Sequence, residues 1–340
     1  MKDDQQKDIT PGGTGDTING GQVISYRLFN TCLSSTIPLP EVPYWPYGNP
    51  SIRVRQAASG SFDLAGFVSR HDWCTDDGRL ICRSARRGDQ YLLSLPGQAR
   101  FLISVGGEIC CFPERGMDPG LLRQLLLNQV IPRYLAHTGA LLLHASAVSF
   151  PNGSTVAFVG KSGIGKSTLA SYCYSQGAQI IDDDCILFRV ENSQLKITGG
   201  VPTIRLYSDS LDALGYNPHD FTRYADSTEK LQMCLPAGDT PGSDPRVLDS
   251  VFLLASPSEL TSRGETVHIE LASGAAAMMS IMGSAFSLDP SDPDSMRRIF
   301  SQAAQLLNEG QGLKVNHLYY PRDHAELPFV LRALLNNSGG

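Results

Sequence analysis

The sequence has eight cysteines but no CxxC pair, and no Cys/His spacing matches a zinc site, so a structural zinc module is excluded. It has no long apolar run. The longest, at 140–148, is about half of a bilayer span and is interrupted by His144. The first residues, MKDDQQKDITPGGTGD, contain no apolar h-region, so a secretory leader is not expected. Basic charge is scarce too. With 28 Lys+Arg against 34 Asp+Glu the formal charge is -6, which argues against a nucleic acid backbone as the main partner. These absences make the cytoplasm the expected compartment, with no membrane partner. The scattered thiols then serve as small apolar residues.

What is present is a chain of 340 residues, 41% hydrophobic and 18% charged, able to bury a core and too apolar for a disordered scaffold. Its length allows one large domain or two modest ones at the usual ~100–200 residues each. The 33 glycines and 21 prolines imply many turns, without an internal repeat.

Residues 1–20 read as a flexible tail. Residues 21–115 read as a β-rich domain, from the runs QVISYRLF, SIRVRQ, RLICRSA, QYLLSL, ARFLISV and EICCF. Their alternation predicts a mostly antiparallel sheet with one solvated face, and no catalytic pattern occurs among them. Residues 116–340 begin with a helix: Asp118 suits the N-cap, Pro119 the first turn, Pro132 a kink and Gly139 the exit. Beyond it strands alternate with helices, expected at 166–176, 208–214, near 274–283, 294–307 and 326–335. This is an α/β pattern.

The strongest signal is GKSGIGKS at 160–167, a full GxxxxGK[ST] match fed by the β-rich run STVAFV and followed by a helical pattern. Glycines at 160, 163 and 165 let backbone N–H groups approach phosphate oxygens, and the helix N-terminus adds partial positive charge. The nucleotide-binding candidates are Gly160, Ser162, Gly163, Ile164, Gly165, Lys166, Ser167 and Thr168. Lys166 can reach the β- and γ-phosphates, and the Ser167 hydroxyl can ligate Mg²⁺. A second feature is IIDDD at 180–184, at the end of a strand expected to lie beside the loop's own strand. Three adjacent carboxylates repel, so they are best kept where cations compensate. One can serve Mg²⁺ and another can accept a proton. The third feature is His144, in the strand ALLLHASAV. It is either a satisfied core histidine or an orienting partner for an acidic neighbour.

Taken together, His144, GKSGIGKST and QGAQIIDDD resemble the HPr kinase/phosphorylase family and its shorter HPr-kinase-like serine kinases, over about 139–214 and loosely to the C-terminus. The resemblance implies a P-loop kinase domain like the HPr kinase catalytic domain, using ATP and Mg²⁺. It places the serine-deprotonating base on Asp183 and the metal on Asp184 and Ser167, with Asp182 as an extra residue. It further points to Arg205 in PTIRLY and Lys230 in TEKLQM as substrate cations; both also fit plain surface charges. The glycine-rich phosphorylase signature has no match in KITGGVPTIRLY, so kinase action is the expected direction. RLFNTCLSSTIPLPE resembles the N-terminal region of kinases that act on lasso-peptide precursors, which implies a serine-containing peptide or small protein as acceptor. A small-alcohol kinase, an HPr kinase/phosphorylase and a non-enzymatic nucleotide switch remain as alternatives, and homo-oligomerisation is left open.

Overall fold

The alternating runs of the first hundred residues form one eight-stranded sheet. Its order is Ile24–Leu28, Thr31–Ser35, Ile52–Gln56, Glu108–Pro113, Ala99–Ser104, Gln90–Leu95, Leu80–Arg87 and Val68–Cys74. Every pairing is antiparallel except the two made by Ile52–Gln56, which are parallel. Along Ala99–Ser104 buried and half-buried residues alternate, as one packed face requires. The computed structural model describes residues 17–18, 21–57, 63–75, 77–201, 203–225, 228–235, 244–256, 259, 266–307 and 313–338. The tail expected at 1–20 lies outside these residues except for Thr17–Ile18, which pairs with Gly21–Gln22.

The sheet's inner face is covered by the next segment. Asp118 accepts a hydrogen bond from the Leu121 N–H at 2.9 Å and Pro119 occupies the first turn, so the helix starts where the sequence signals it. Pro132 has no N–H to give and its ring crowds the preceding turn, yet the helix does not stop. It widens into a π turn at Leu126–Val130 and resumes as Ile131–His137. Leu122, Leu126, Val130 and Ile131 join Tyr91, Phe101 and Ile103 in one core.

The second half is mixed α/β. A six-stranded sheet runs Gln179–Asp182, Ala145–Ser149, Thr155–Val159, Ser250–Leu254, Lys314–Tyr319 and His268–Leu271, with a parallel centre at Thr155–Val159, Ser250–Leu254 and Lys314–Tyr319. Thr155–Val159 and Ser250–Leu254 are buried along their whole length and largely apolar, as strands covered on both faces are. Val156 and Phe158 face the helices Lys166–Ser175 and Leu327–Ser338. Ala157 and Val159 face Gly274–Gly283 and Pro293–Leu307. These helices and Ser208–Leu214 fall where the sequence periodicity puts them. Two smaller sheets flank this layer, one of four strands including Leu141–Leu143 and Ile186–Glu191, the other of three including Thr203–Leu206. Among the described residues no helix is long and apolar enough to cross a membrane. All eight cysteines are free, and five are buried: Cys82, Cys110, Cys111, Cys173 and Cys185.

One expectation is corrected. The acidic strand Gln179–Asp182 does not lie beside Thr155–Val159; Ala145–Ser149 is inserted between them, antiparallel to both. The tight turn after Phe150, closed by the Phe150 N–H to Ser154 carbonyl bond, makes Ala145–Ser149 and Thr155–Val159 a local hairpin. That hairpin fills the neighbouring slot before the chain returns from the helix.

Candidate active site

His144 is not in the middle of a strand. The run ALLLHASAV breaks there: Leu141–Leu143 belongs to the four-stranded sheet and Ala145–Ser149 to the six-stranded one. The acidic run breaks in the same way, between Gln179–Asp182 and Ile186–Glu191, which belong to the same two sheets. Two chains therefore change sheets side by side, and the gap between the sheets is lined by the polar residues of both breaks.

Within that gap the three aspartates differ. Asp182 is a staple. Its Oδ1 accepts from the Asp184 and Cys185 N–H groups at 2.9 and 3.4 Å, and its Oδ2 accepts from Gly200 N–H at 2.6 Å. Burial pushes its carboxyl up to about 7 against the pull of Arg205 and these N–H bonds. Asp183 is 3% exposed and has both oxygens engaged, Oδ1 by the Ser146 hydroxyl at 2.7 Å and Oδ2 by the Arg205 N–H at 3.1 Å. Burial raises its carboxyl as well. Asp184 is the charged one. Burial alone would raise it, but the Arg205 guanidinium, 2.6 Å from Oδ2, and His144 Nδ1, 3.1 Å from Oδ1, hold it well below the usual carboxylate range.

Arg205 is therefore no surface cation. It is 4% exposed, anchored by Asp184 and by Gln232 Oε1 at 3.1 Å. Lys230 stands above the Tyr207 ring, 5.2 Å from its centroid. His144 donates Nδ1 toward Asp184, whose backbone oxygen is 3.0 Å away. Nε2 is the ring nitrogen left free of Asp184, and the side chain is 36% exposed.

The glycine loop leaves Thr155–Val159 and enters Lys166–Ser175. Gly165 stands at the helix start with φ +97°, in the left-handed region, and a Cβ there would sit 3.2 Å from the Tyr320 hydroxyl. Lys166 is folded onto the loop, its Nζ donating to the Gly160 and Lys161 carbonyls at 2.7 and 3.0 Å. Burial pulls its ammonium down to about 8, against the upward pull of Asp184 and Asp183.

Two cavities meet at this loop. The first, about 250 Å³, is lined by Gly163 and Gly165 to Thr168, by His144, Arg205 and Lys230, and by the C-terminal turn at Tyr320, Arg322 and His324. The second, about 520 Å³, lies against Gly160, Lys161 and Ser162. His144 lines both; Asp183 lines neither. The donors of the first cavity fit a polyphosphate: glycines at positive φ, a helix N-terminus, Lys166 and the Ser167 hydroxyl. Magnesium fits Ser167 readily, whereas both Asp184 oxygens are already engaged, by Arg205 and by His144. Among the described residues no group of three or more His, Cys, Asp or Glu could hold a metal by itself.

The sequence reading missed Ser146, Gln232 and the turn after Lys314–Tyr319. Ser146 was accessible, because it lies two residues beyond His144 on an extended chain. The turn was accessible from topology alone: it follows a parallel strand at the same sheet edge as the glycine loop, where ligands of open α/β sheets bind.

No protein-family model matches this chain, and no curated protein matches it. Among solved structures, the Hpr(Ser) kinase/phosphatase from Coxiella burnetii is similar with a TM-score of 0.31 and 15% identity, over 58% of this chain and 99% of that one. A likeness of that size carries no argument, so the functional reading rests on the site.

Proposed function

We propose that the protein is an ATP- and Mg²⁺-dependent kinase that phosphorylates a serine hydroxyl of a peptide or small protein. The C-terminal serine of a lasso-type precursor is the acceptor suggested by the sequence resemblance. The observation that supports it is one cavity lined by a helix N-terminus, Lys166, Ser167 and His144, whose Nδ1 is paired behind it with buried Asp184. When bound, MgATP supplies the γ-phosphoryl group and the metal charge that offsets its oxygens. Lys166 and the loop N–H groups hold the phosphates, and Ser167 contributes its hydroxyl to the metal. The acceptor oxygen bonds to the γ-phosphorus as the bond to the bridging oxygen of ADP breaks. His144 Nε2 takes the hydroxyl proton, oriented by Asp184. Asp183, engaged on both oxygens, holds Arg205 and Ser146 in place.

Incubation with ATP and a panel of serine-containing peptides, read by an added phosphate mass, tests the reading. Transfer to peptides supports it. Rapid phosphorylation of a small alcohol with none of any peptide would favour a small-molecule kinase, and ATP binding without transfer to either would favour a nucleotide switch.

A further inference from the structure

The second cavity contains a charge that nothing explains. Arg133, on the resumed helix, is 8% exposed and lines this cavity. Among the described residues no carboxylate lies within ion-pair distance of it. Its Nη1 is bound to the Gln129 carbonyl and side-chain oxygen at 3.0 and 2.6 Å, while its buried Nε has no partner. The guanidinium lies between two aromatic walls, 4.8 Å from the Trp73 centroid and 5.4 Å from that of Phe286. Asp184 is near enough to be felt electrostatically, but its oxygens are held by Arg205 and His144. A buried cation without an anion is costly, and guanidinium is well shaped to receive a planar carboxylate. The cavity also has the size of a small-ligand site and reaches His144 and the back of the glycine loop.

We propose that this cavity is the acceptor site and that Arg133 binds in it the carboxylate of the hydroxyl compound to be phosphorylated. The proposal rests on the phosphoryl-transfer reading. It places the acceptor on one side of the loop and the nucleotide on the other, with His144 Nε2 between them. One buried guanidinium balances one negative charge, which suits a carboxylate. Its source is either a peptide C-terminus ending in serine or a small hydroxy acid.

The chain has two tryptophans, so Trp45→Phe leaves Trp73 as a reporter stacked on Arg133. That protein, without nucleotide, would be titrated with a short serine-ending peptide, the same peptide amidated, and 3-hydroxypropanoate. The expected result is a saturable change in Trp73 emission with the free acid, about tenfold or more weaker with the amide. Response to the peptide alone assigns the carboxylate to a chain terminus; response to 3-hydroxypropanoate as well admits small hydroxy acids. Equal affinity for acid and amide, or no saturable response to either acid, overturns the proposal. This comparison leaves Arg133 untouched, so it decides even if Arg133→Met fails to fold. In a folded Arg133→Met the acceptor KM should rise about tenfold while ATP affinity stays at the parent level. An unchanged KM would also refute the role. A protein that binds the acid probe and ATP but never transfers phosphate would keep the carboxylate site and overturn its role as acceptor site. Absent ATP binding would instead strike the kinase reading.

Discussion

Replacing Asp183 separates a carboxylate that holds the site together from one that does chemistry. Its Oδ1 accepts from the Ser146 hydroxyl and its Oδ2 from the Arg205 N–H, both fully inside the protein. In Asp183→Asn the amide oxygen can still accept from Arg205 and the amide nitrogen can donate to Ser146 Oγ. Both hydrogen bonds are kept, so stability should stay within about 1 kcal/mol of the parent. Asp183→Ala strands both donors. Each unsatisfied buried donor costs about 1–3 kcal/mol, so this variant should lose roughly 2–6 kcal/mol. Denaturant unfolding should therefore rank Asn well above Ala. With His144 as proton acceptor, Asp183→Asn should transfer phosphate within about tenfold of the parent, while His144→Ala should fall ~10²–10⁴-fold with ATP affinity kept. The reverse pattern, a large loss in a folded, ATP-binding Asp183→Asn and near-normal transfer in His144→Ala, would refute the assignment and return the base to Asp183.

Three further outcomes follow from the same geometry. Lys166→Ala should abolish ATP binding in calorimetry with the circular dichroism unchanged; undiminished affinity would remove the phosphate-loop reading. Gly199→Ala should cost upward of ~3 kcal/mol or prevent folding, because its Cβ would lie 2.3 Å from the Ile181 carbonyl where the sheets diverge. Gly177→Ala, with open space around its Cβ and φ +94°, should lose only the ~1–2 kcal/mol of a left-handed residue, and equal losses at the two sites would contradict the packing argument. His137 has its imidazole pulled down first by burial and then by Arg298, so the folded state binds its proton less readily than the unfolded chain. Its contribution is complete above the ordinary value of 6.5 and is lost as pH falls below it. His137→Phe should flatten the decline of Tm between pH 7.5 and 5.5, and an unchanged slope would exclude His137 as its source.

The local features were legible because they are local. The glycine loop, the strand before it, the helix after it and the Asp118–Pro119 helix start depend on residues within a few positions of one another. The alternating runs of the first half and the 3.6-residue periodicity of the second likewise define their own elements. The partners of the acidic run were not legible. Nothing in IIDDD distinguishes a staple, an engaged carboxylate and an ion-paired one. That difference arises because Gly200 and Arg205, about twenty residues on, and His144, forty residues back, are carried there by two strands changing sheets together. A hairpin took the place beside the glycine-loop strand, for reasons of turn length that sequence pattern alone does not rank. Arg133 had the least signal of all, one arginine after a proline in an amphipathic helix. Its burial between Trp73 and Phe286 depends on an edge strand 60 residues earlier and a segment about 150 residues later. Sequence alone marks the glycine loop with the strand before it and the helix after it. Which groups face that loop, and which lie buried around it, was decided by tertiary packing, since burial and charge pairing are properties of neighbours that the chain order does not contain.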